Sequence, residues 1–383
     1  MQGTCLSFVH ARISYSQMAK ETTHSVGAQT LGDLDPARRH LRTPLYIGGH
    51  SLANRVFLAP LSGISDVPFR RLARRFGAGM VVSEMVASGE FVKGCDESAL
   101  RAMRDGPGLH VVQLAGRDPA WMQRAAEQLA GNGTDIIDIN MGCPAKKVVG
   151  GLSGSALMRE PDLALRIVEA TVAGAGSVPV TLKMRLGWDR QSMNAPELAA
   201  AAEAAGVAAI TVHGRTRSDF YEGRADWAAI AAVRRAVSVP LVANGDLVTD
   251  SQVMPMLAQS CADAVMVGRG AQGRPWLPGL LAGAIDAADL ARLSLGDLVA
   301  EHYEAMLGHY GGRVGVRHAR KHLGWYLDRF AAAFGPMSEV DRLGVMAGRD
   351  SQNVLDILRR LLADARLSDV EPSLLPSAMQ EAA

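Results

Sequence analysis

The feature that most constrains this chain is a run of eight short, β-rich apolar segments. They end in Gly, Asn or Pro, and each is followed by a stretch of helical period. They are VFLAPL (56–61), MVVSEM (80–85), HVVQLAG (110–116), DIIDINMG (135–142), PVTLKMR (179–185), AAITVHGR (208–215), PLVANGD (240–246) and ADAVMVGRG (262–270). Strands alternating with helices give a parallel α/β sheet, and eight such units over this span match one (β/α)8 barrel. A doubly wound open sheet competes, but it usually holds about five to seven strands. The stretches between support helices. PELAAAAEAAG (196–206) has Pro196 at a first-turn position and Gly206 as a stop, and DWAAIAAVRRAVSVP (226–240) opens on the N-cap candidate Asp226 and runs to Pro240.

After residue 290 the strand signals cease. LGDLVAEHYEAMLGHYGG, GVRHARKHLGWYLDRFAAAF and QNVLDILRRLLADARL read as helices. The expected layout is a disordered leader over 1–42, a barrel over 43–288, a small all-helical C-terminal domain over 289–368 and a tail over 369–383. The leader is rich in Ser, Thr, Gln and His and lacks the apolar stretch of a secretory signal. A start codon placed too early would account for it equally.

Composition narrows the function classes. With 48% apolar and 21% charged residues the chain can bury a large core, which excludes a disordered or collagen-like protein. The net charge of +1 gives no bulk attraction to nucleic acid, so such a partner would be met by a local basic patch. Cys5, Cys95, Cys143 and Cys261 lie far apart without CxxC spacing or a neighbouring His cluster. No metal site and no disulfide framework is expected, and a reducing cytoplasm is the expected compartment. No apolar run is long enough for a membrane span.

In a barrel, chemistry gathers where the strands end, at the C-terminal mouth. Those ends are Pro60, Glu84, Gln113, Asn140 to Cys143, Lys183 to Arg185, His213 to Arg215, Asn244 to Asp246, and Gly268 with Arg269. A purely structural barrel has no need of polar groups at all eight ends, so the pattern points to an enzyme. NGD and GRG after the last two strands put glycines where backbone N–H groups can approach a phosphate, with Arg269 adding a fork of donors. Tight βα turns alone would also explain those glycines. Lys183 lies on an interior strand end, where an unpaired ammonium is costly and an anion is wanted. A flavin with its phosphate at strands seven and eight and its ring near Lys183 and Gln113 satisfies this. A Schiff-base lysine is the alternative chemistry, and His213 is alternatively a structural histidine.

Cys143 follows strand four in NMGCPAKK, where Pro144 ends the strand and Lys146 and Lys147 make the loop polar. No His adjoins it in sequence to act as a base, which speaks against a protease-like nucleophile. An ordinary thiol, with a pKa of about 8.5, is protonated at neutral pH and can serve as a general acid. Facing a hydride-donating flavin, it would help reduce a polarised C=C bond.

Together these residues resemble the tRNA-dihydrouridine synthases, and most of all their B-type bacterial branch. The similar strings are APLSGISDVPFR (59–70), VSEM (82–85), VQLAG (112–116), DINMGCPAKKV (138–148), GSAL (154–157), TLKMRLGW (181–188), TVHGRTR (211–217), ANGD (243–246) and GRGAQGRPW (268–276). RKHLGWYL (320–327) extends the match into the helical region. The resemblance implies an FMN enzyme that takes hydride from NADPH (or NADH) and reduces the uridine C5=C6 bond in the D-loop of tRNA. FMN would be held by Pro60, Leu61, Ser62, Gln113, Lys183, His213, Asn244, Gly245, Asp246, Gly268 and Arg269. Hydride would reach C6 while Cys143 protonates C5, with Asn140 and Arg185 near the base. The target base would have to leave the tRNA fold, as other base-modifying enzymes require.

Arg313, Arg317, Arg320 and Lys321 stand at near-helical spacing and are expected to present one basic face to tRNA phosphate, Arg320 and Lys321 among the contacts. A solvated helix face is the plainer alternative. The sequence departs from the family pattern at VVGGLSG (148–154), which has no basic residue, and at Leu61, where Met is frequent. The expected protein is a soluble monomer. Two rivals remain: a flavin oxidoreductase of free pyrimidines, which has no use for a basic helical domain, and an RNA-binding protein on an inactive barrel.

Overall fold

The computed structural model describes residues 36–372. Eight parallel strands close into a barrel: β1 Val56–Leu58, β2 Met80–Ala87, β3 Val111–Ala115, β4 Ile136–Met141, β5 Val180–Arg185, β6 Val207–His213, β7 Leu241–Asn244 and β8 Ala264–Val267. Closure is made by β8 pairing onto β1, with Val265 opposite Val56. Each of the eight apolar runs holds one of these strands, and the open sheet is excluded.

The strands are buried on both faces, which is why they read as near-continuous apolar runs rather than alternating ones. One layer of side chains, among them Val56, Leu58, Ile137, Leu182 and Ile210, packs outward against the helices. The other layer, including Phe57, Val82, Ile136, Ala209, Val242 and Met266, packs with Leu45, Ile47 and Leu52. Those three belong to an antiparallel hairpin (Leu45–Ile47 with His50–Leu52) that lies against the N-terminal strand ends. The C-terminal mouth stays open.

The barrel helices are α1 Val67–Arg75, α2 Pro119–Gly131, α3 Pro161–Ala175, α4 Ala195–Ala204, α5 Trp227–Ala236, α6 Val253–Ser260 and α7 Leu277–Ala282. Asp66, Asp118 and Asp226 cap α1, α2 and α5 by accepting backbone N–H bonds, and prolines occupy the first turns of α1 to α4. Helix α5 ends at Ala236, with Val237 already extended, three residues ahead of Pro240.

The C-terminal region is helical throughout: α8 Leu295–Tyr310, α9 Gly312–Phe334, α10 Glu339–Ala347 and α11 Ser351–Leu361. Nothing in the sequence pattern marks α10, whose sole fully buried side chain is Val345. The core of this region continues into the barrel through Leu72 and Phe76 of α1 and through Trp276, so the two parts share apolar surface.

Residues 1–35 of the expected leader and 373–383 of the expected tail lie outside the described residues. Pro36–Leu41 form a helix whose Leu41 is buried in the barrel core. At the other end Glu371 is buried and bonded to Arg274 and Trp276, so the chain remains packed beyond residue 369.

Candidate active site

The strand ends enclose a cleft of about 820 Å³. Pro60, Leu61 and Ser62 line it after β1, Gln113 from β3, Asn140 and Cys143 from the end of β4, and Lys183 and Arg185 from β5. His213, Asn244, Gly245, Asp246, Gly268 and Arg269 complete the ring from β6, β7 and β8. Arg320 and Lys321 are not among the lining residues. Lys321 donates to the Gly63 carbonyl at 2.6 Å, just behind the β1 loop. Arg320 is half-buried and turned toward the Gly348 carbonyl at 3.4 Å. The expected four-residue basic face is therefore Arg313, Arg317 and Lys321, which follow one another at i, i+4 and i+8 and are exposed.

A chain of polar contacts runs across the floor. Asp138 accepts from Thr181 Oγ1 and from Gln113 Nε2, both at 2.6 Å. Gln113 Oε1 in turn accepts from Asn140 Nδ2 at 2.7 Å, and Asn140 Oδ1 accepts the backbone N–H of Gly142 and of Cys143. Ser155, in the GSAL string, bonds the Cys143 carbonyl through its N–H and its hydroxyl. Arg185 donates to the carbonyls of Gly142, Thr216 and Phe220. These residues fix the loop that carries the thiol. Arg185 thus lines the cleft while its guanidinium is bonded to backbone.

Electrostatically the cleft is rich in cations. Burial lowers Lys183 to about 8, although Asp138 pulls it back up, and its ammonium donates to Asn244 Oδ1 at 3.0 Å. Burial raises Asp138 to about 6 against the bonds from Thr181 and Gln113. Burial, reinforced by Lys183, Arg185, Arg215 and Arg269, holds His213 neutral, well below its ordinary value. Arg215 faces His213 Nε2 at 3.3 Å and can only donate, which places the imidazole proton on Nδ1. The same guanidinium grips Asp246 at 2.7 and 2.8 Å. Burial pushes the Asp246 carboxyl up, but its bonds from Arg215 and Ala225 outweigh that and leave it below the usual range. Burial raises the Cys143 thiol, and the Ala145 N–H and the charges of Arg185 and Lys183 offset this only in part. The thiol is protonated at neutral pH.

A planar anion with a phosphate arm fits these residues. Gly245 adopts φ +123°, and a Cβ there would stand 2.9 Å from His213 Cδ2 and 2.8 Å from Ala225 Cβ, so only glycine fits between these side chains at the cleft wall. Arg269, half-exposed beside it, brings its guanidinium within 3.6 Å of Asp246 at the cleft wall.

The dihydrouridine synthase family model matches residues 57–360. The chain belongs to the dihydrouridine synthase family. It is accordingly a flavin-dependent oxidoreductase of tRNA processing. A probable tRNA-dihydrouridine synthase of Rhizobium leguminosarum bv. phaseoli is 58% identical over 304 residues, covering 79% of this chain and 94% of that one. tRNA-dihydrouridine synthase B of Pseudomonas aeruginosa is 45% identical over 308 residues, covering 77% and 92%. Among solved structures, 6-hydroxypseudooxynicotine amine oxidase from Pseudomonas geniculata N1 aligns with a TM-score of 0.52 at 14% identity, over 70% of this chain and 53% of that one. That likeness shows the barrel fold alone.

Several cleft residues escaped the sequence reading. Tyr221 lies under the Arg185 and Arg269 guanidinium groups at 5.4 and 4.9 Å. Arg274, Arg329 and Pro372 line the side nearest the helical region. Behind the cleft, Asp138 stands inside a quoted motif and Arg215 is read only as part of a strand end, and the partners of both lie far along the chain. No local spacing signals them.

Proposed function

We propose that this enzyme reduces the C5=C6 bond of a uridine in the D-loop of tRNA to 5,6-dihydrouridine, using FMN recharged by NADPH. The observation that carries the reading is a protonated, rigidly held thiol at the rim of a cation-rich cleft, in which a planar anionic cofactor would lie. Gly245, Gly268 and Arg269 would hold the FMN phosphate through backbone N–H groups and a guanidinium. Lys183, Gln113 and His213 would face the ring, with Pro60, Leu61 and Ser62 on its flank. When bound, the reduced flavin supplies hydride to C6 of the base.

The chain's own residues do the rest. Cys143 delivers its proton to C5 as the electron pair of the double bond moves there, and the thiolate left behind is stabilised by Arg185 and Lys183. Asn140 orients the loop and Gln113 orients Asn140. Because Cys143 acts as acid, its raised pKa keeps it loaded through the neutral range.

The visible spectrum of the purified protein tests this first. Bands of oxidised flavin should bleach with NADPH and return with unmodified tRNA, and not with free uracil or orotate. Recovery by a free pyrimidine would move the assignment to the rival oxidoreductase. Cys143→Ala should keep flavin and tRNA binding and lower turnover by about 10²–10⁴-fold. Turnover equal to the unmodified enzyme would remove the thiol from the mechanism.

A further inference from the structure

Away from the cleft, where α8 and α9 lie against the start of α1, three metal-ligating side chains converge. Asp66, His302 and His322 are buried, and one donor atom of each lies within 4.8 Å of the other two. Their polar atoms outnumber their partners. Asp66 uses Oδ1 to cap Phe69 and Oδ2 to accept the Tyr310 hydroxyl at 3.1 Å. His302 Nδ1 meets the Tyr326 hydroxyl at 3.1 Å. Among the described residues, His302 Nε2 and both ring nitrogens of His322 meet no hydrogen-bond partner.

Buried polar atoms are almost always paired, and an ion held by one nitrogen of each imidazole would take up two of these three beside the carboxylate. The surroundings are largely apolar or aromatic: the Phe69 ring is 5.3 Å from His322 and 5.9 Å from His302, and Trp325 is 5.4 Å from His322. The Arg70 guanidinium is bonded to Asp105 and to the carbonyls of Ser65 and Met103.

We propose that Asp66, His302 and His322 bind one zinc ion, which clamps the helical region onto the barrel. Two imidazoles and a carboxylate are a donor set suited to zinc, and too rich in nitrogen for calcium or magnesium. Ligating imidazoles are neutral, and burial holds both in that form, His302 down at about 3. Burial raises the Asp66 carboxyl to about 6, a penalty that a bound cation relieves. Tetrahedral zinc at bonds of about 2.0–2.2 Å sets its donors about 3.4 Å apart. The donors now lie within 4.8 Å of one another and would draw together by side-chain rotation as the ion binds. Water or the Tyr310 hydroxyl takes the fourth position. The ion sits behind the loop that lines the cleft through Ile64, and Lys321, next to His322, is bonded to Gly63 of that loop. The three ligands come from distant elements, which is why no sequence spacing revealed them. The proposal does not rest on the flavin reading.

The test uses the full chain, freed of any affinity tag, loaded with zinc sulfate and dialysed against metal-free buffer. Elemental analysis should find about one zinc per chain, and zinc K-edge absorption should show imidazole nitrogen and carboxylate oxygen at about 2.0–2.2 Å. In competition with a chromophoric chelator, Asp66→Asn, which keeps a helix-capping side chain, and His322→Gln should each bind zinc at least about 10-fold more weakly. Less than about a tenth of an equivalent in the zinc-loaded chain overturns the proposal, as does sulfur bonded to the ion. Undiminished zinc affinity in both variants overturns it as well. Should either variant fail to fold, the stoichiometry and edge spectrum of the unaltered chain decide alone.

Discussion

Lys183 is the residue whose chemistry changes most with its surroundings. Burial brings its pKa from the ordinary 10.5 to about 8 in the protein without cofactor. The folded value is depressed, so the unfolded chain binds this proton more tightly, and the apoprotein gains stability from this group as pH rises from about 8 to about 10.5. An anionic ligand beside the ammonium reverses that preference by favouring the charged form. Affinity of the apoprotein for reduced FMN, whose ring is anionic above neutrality, should therefore weaken above about pH 8, by up to about 10-fold per pH unit. Lys183→Met should bind more weakly and lose the inflection; an inflection that survives in this variant would show that another group titrates. Cys143 behaves oppositely in sign of use. Its raised pKa means that the acid is lost only in the alkaline range, so tRNA-dependent flavin reoxidation, measured with flavin bound, should hold steady through neutrality and fall at high pH. Cys143→Ser should be slow and lack that alkaline fall.

At the scale of elements, the barrel was legible because its strands are short, buried on both faces and separated by helix-length segments, so the period itself announces them. The cleft was legible for a related reason: a polar residue directly after an apolar strand has one place to go. Asp246 illustrates the limit. Its motif places it at the mouth, but its partner Arg215 belongs to the neighbouring strand end, and only barrel closure brings the two together. Helix α7 carries a contact of the same hidden kind. A Cβ on Gly279 would lie 1.7 Å from the Phe76 carbonyl oxygen at the end of α1. Gly279→Ala should force the two helices apart and cost about 1–3 kcal/mol, lowering the melting temperature by about 2–4 °C per kcal/mol. Gly131→Ala, at the end of α2 with nothing near the added methyl, should leave it unchanged or slightly raised. Equal melting temperatures for the two variants would mean that α7 is free to shift.

Across the whole molecule, a nearly neutral chain has to present its positive charge locally if it is to hold a polyanion. Arg313 and Arg317 are exposed on α9, while Lys321 on the same face is bonded to Gly63 and ties that helix to the cleft loop. The buried Arg274–Glu371 pair fixes the C-terminal segment to the same side of the mouth, so the basic face and the cleft share one rigid support. A tRNA reaching the cleft would then lay backbone phosphates along α9. Binding to unmodified tRNA should fall steeply between about 50 and 200 mM salt, as phosphate-dominated binding does. Replacing Arg313 and Arg317 together by Gln should weaken binding and reduce the log–log salt slope by about 1–2, since each phosphate contact contributes about 0.7–0.9. Reduction of the flavin by NADPH should be unaffected, because neither arginine lines the cleft. An unchanged slope would place the tRNA backbone on another face. Arg117, Arg159 and Arg190, exposed after β3, β4 and β5, would be the next residues to replace.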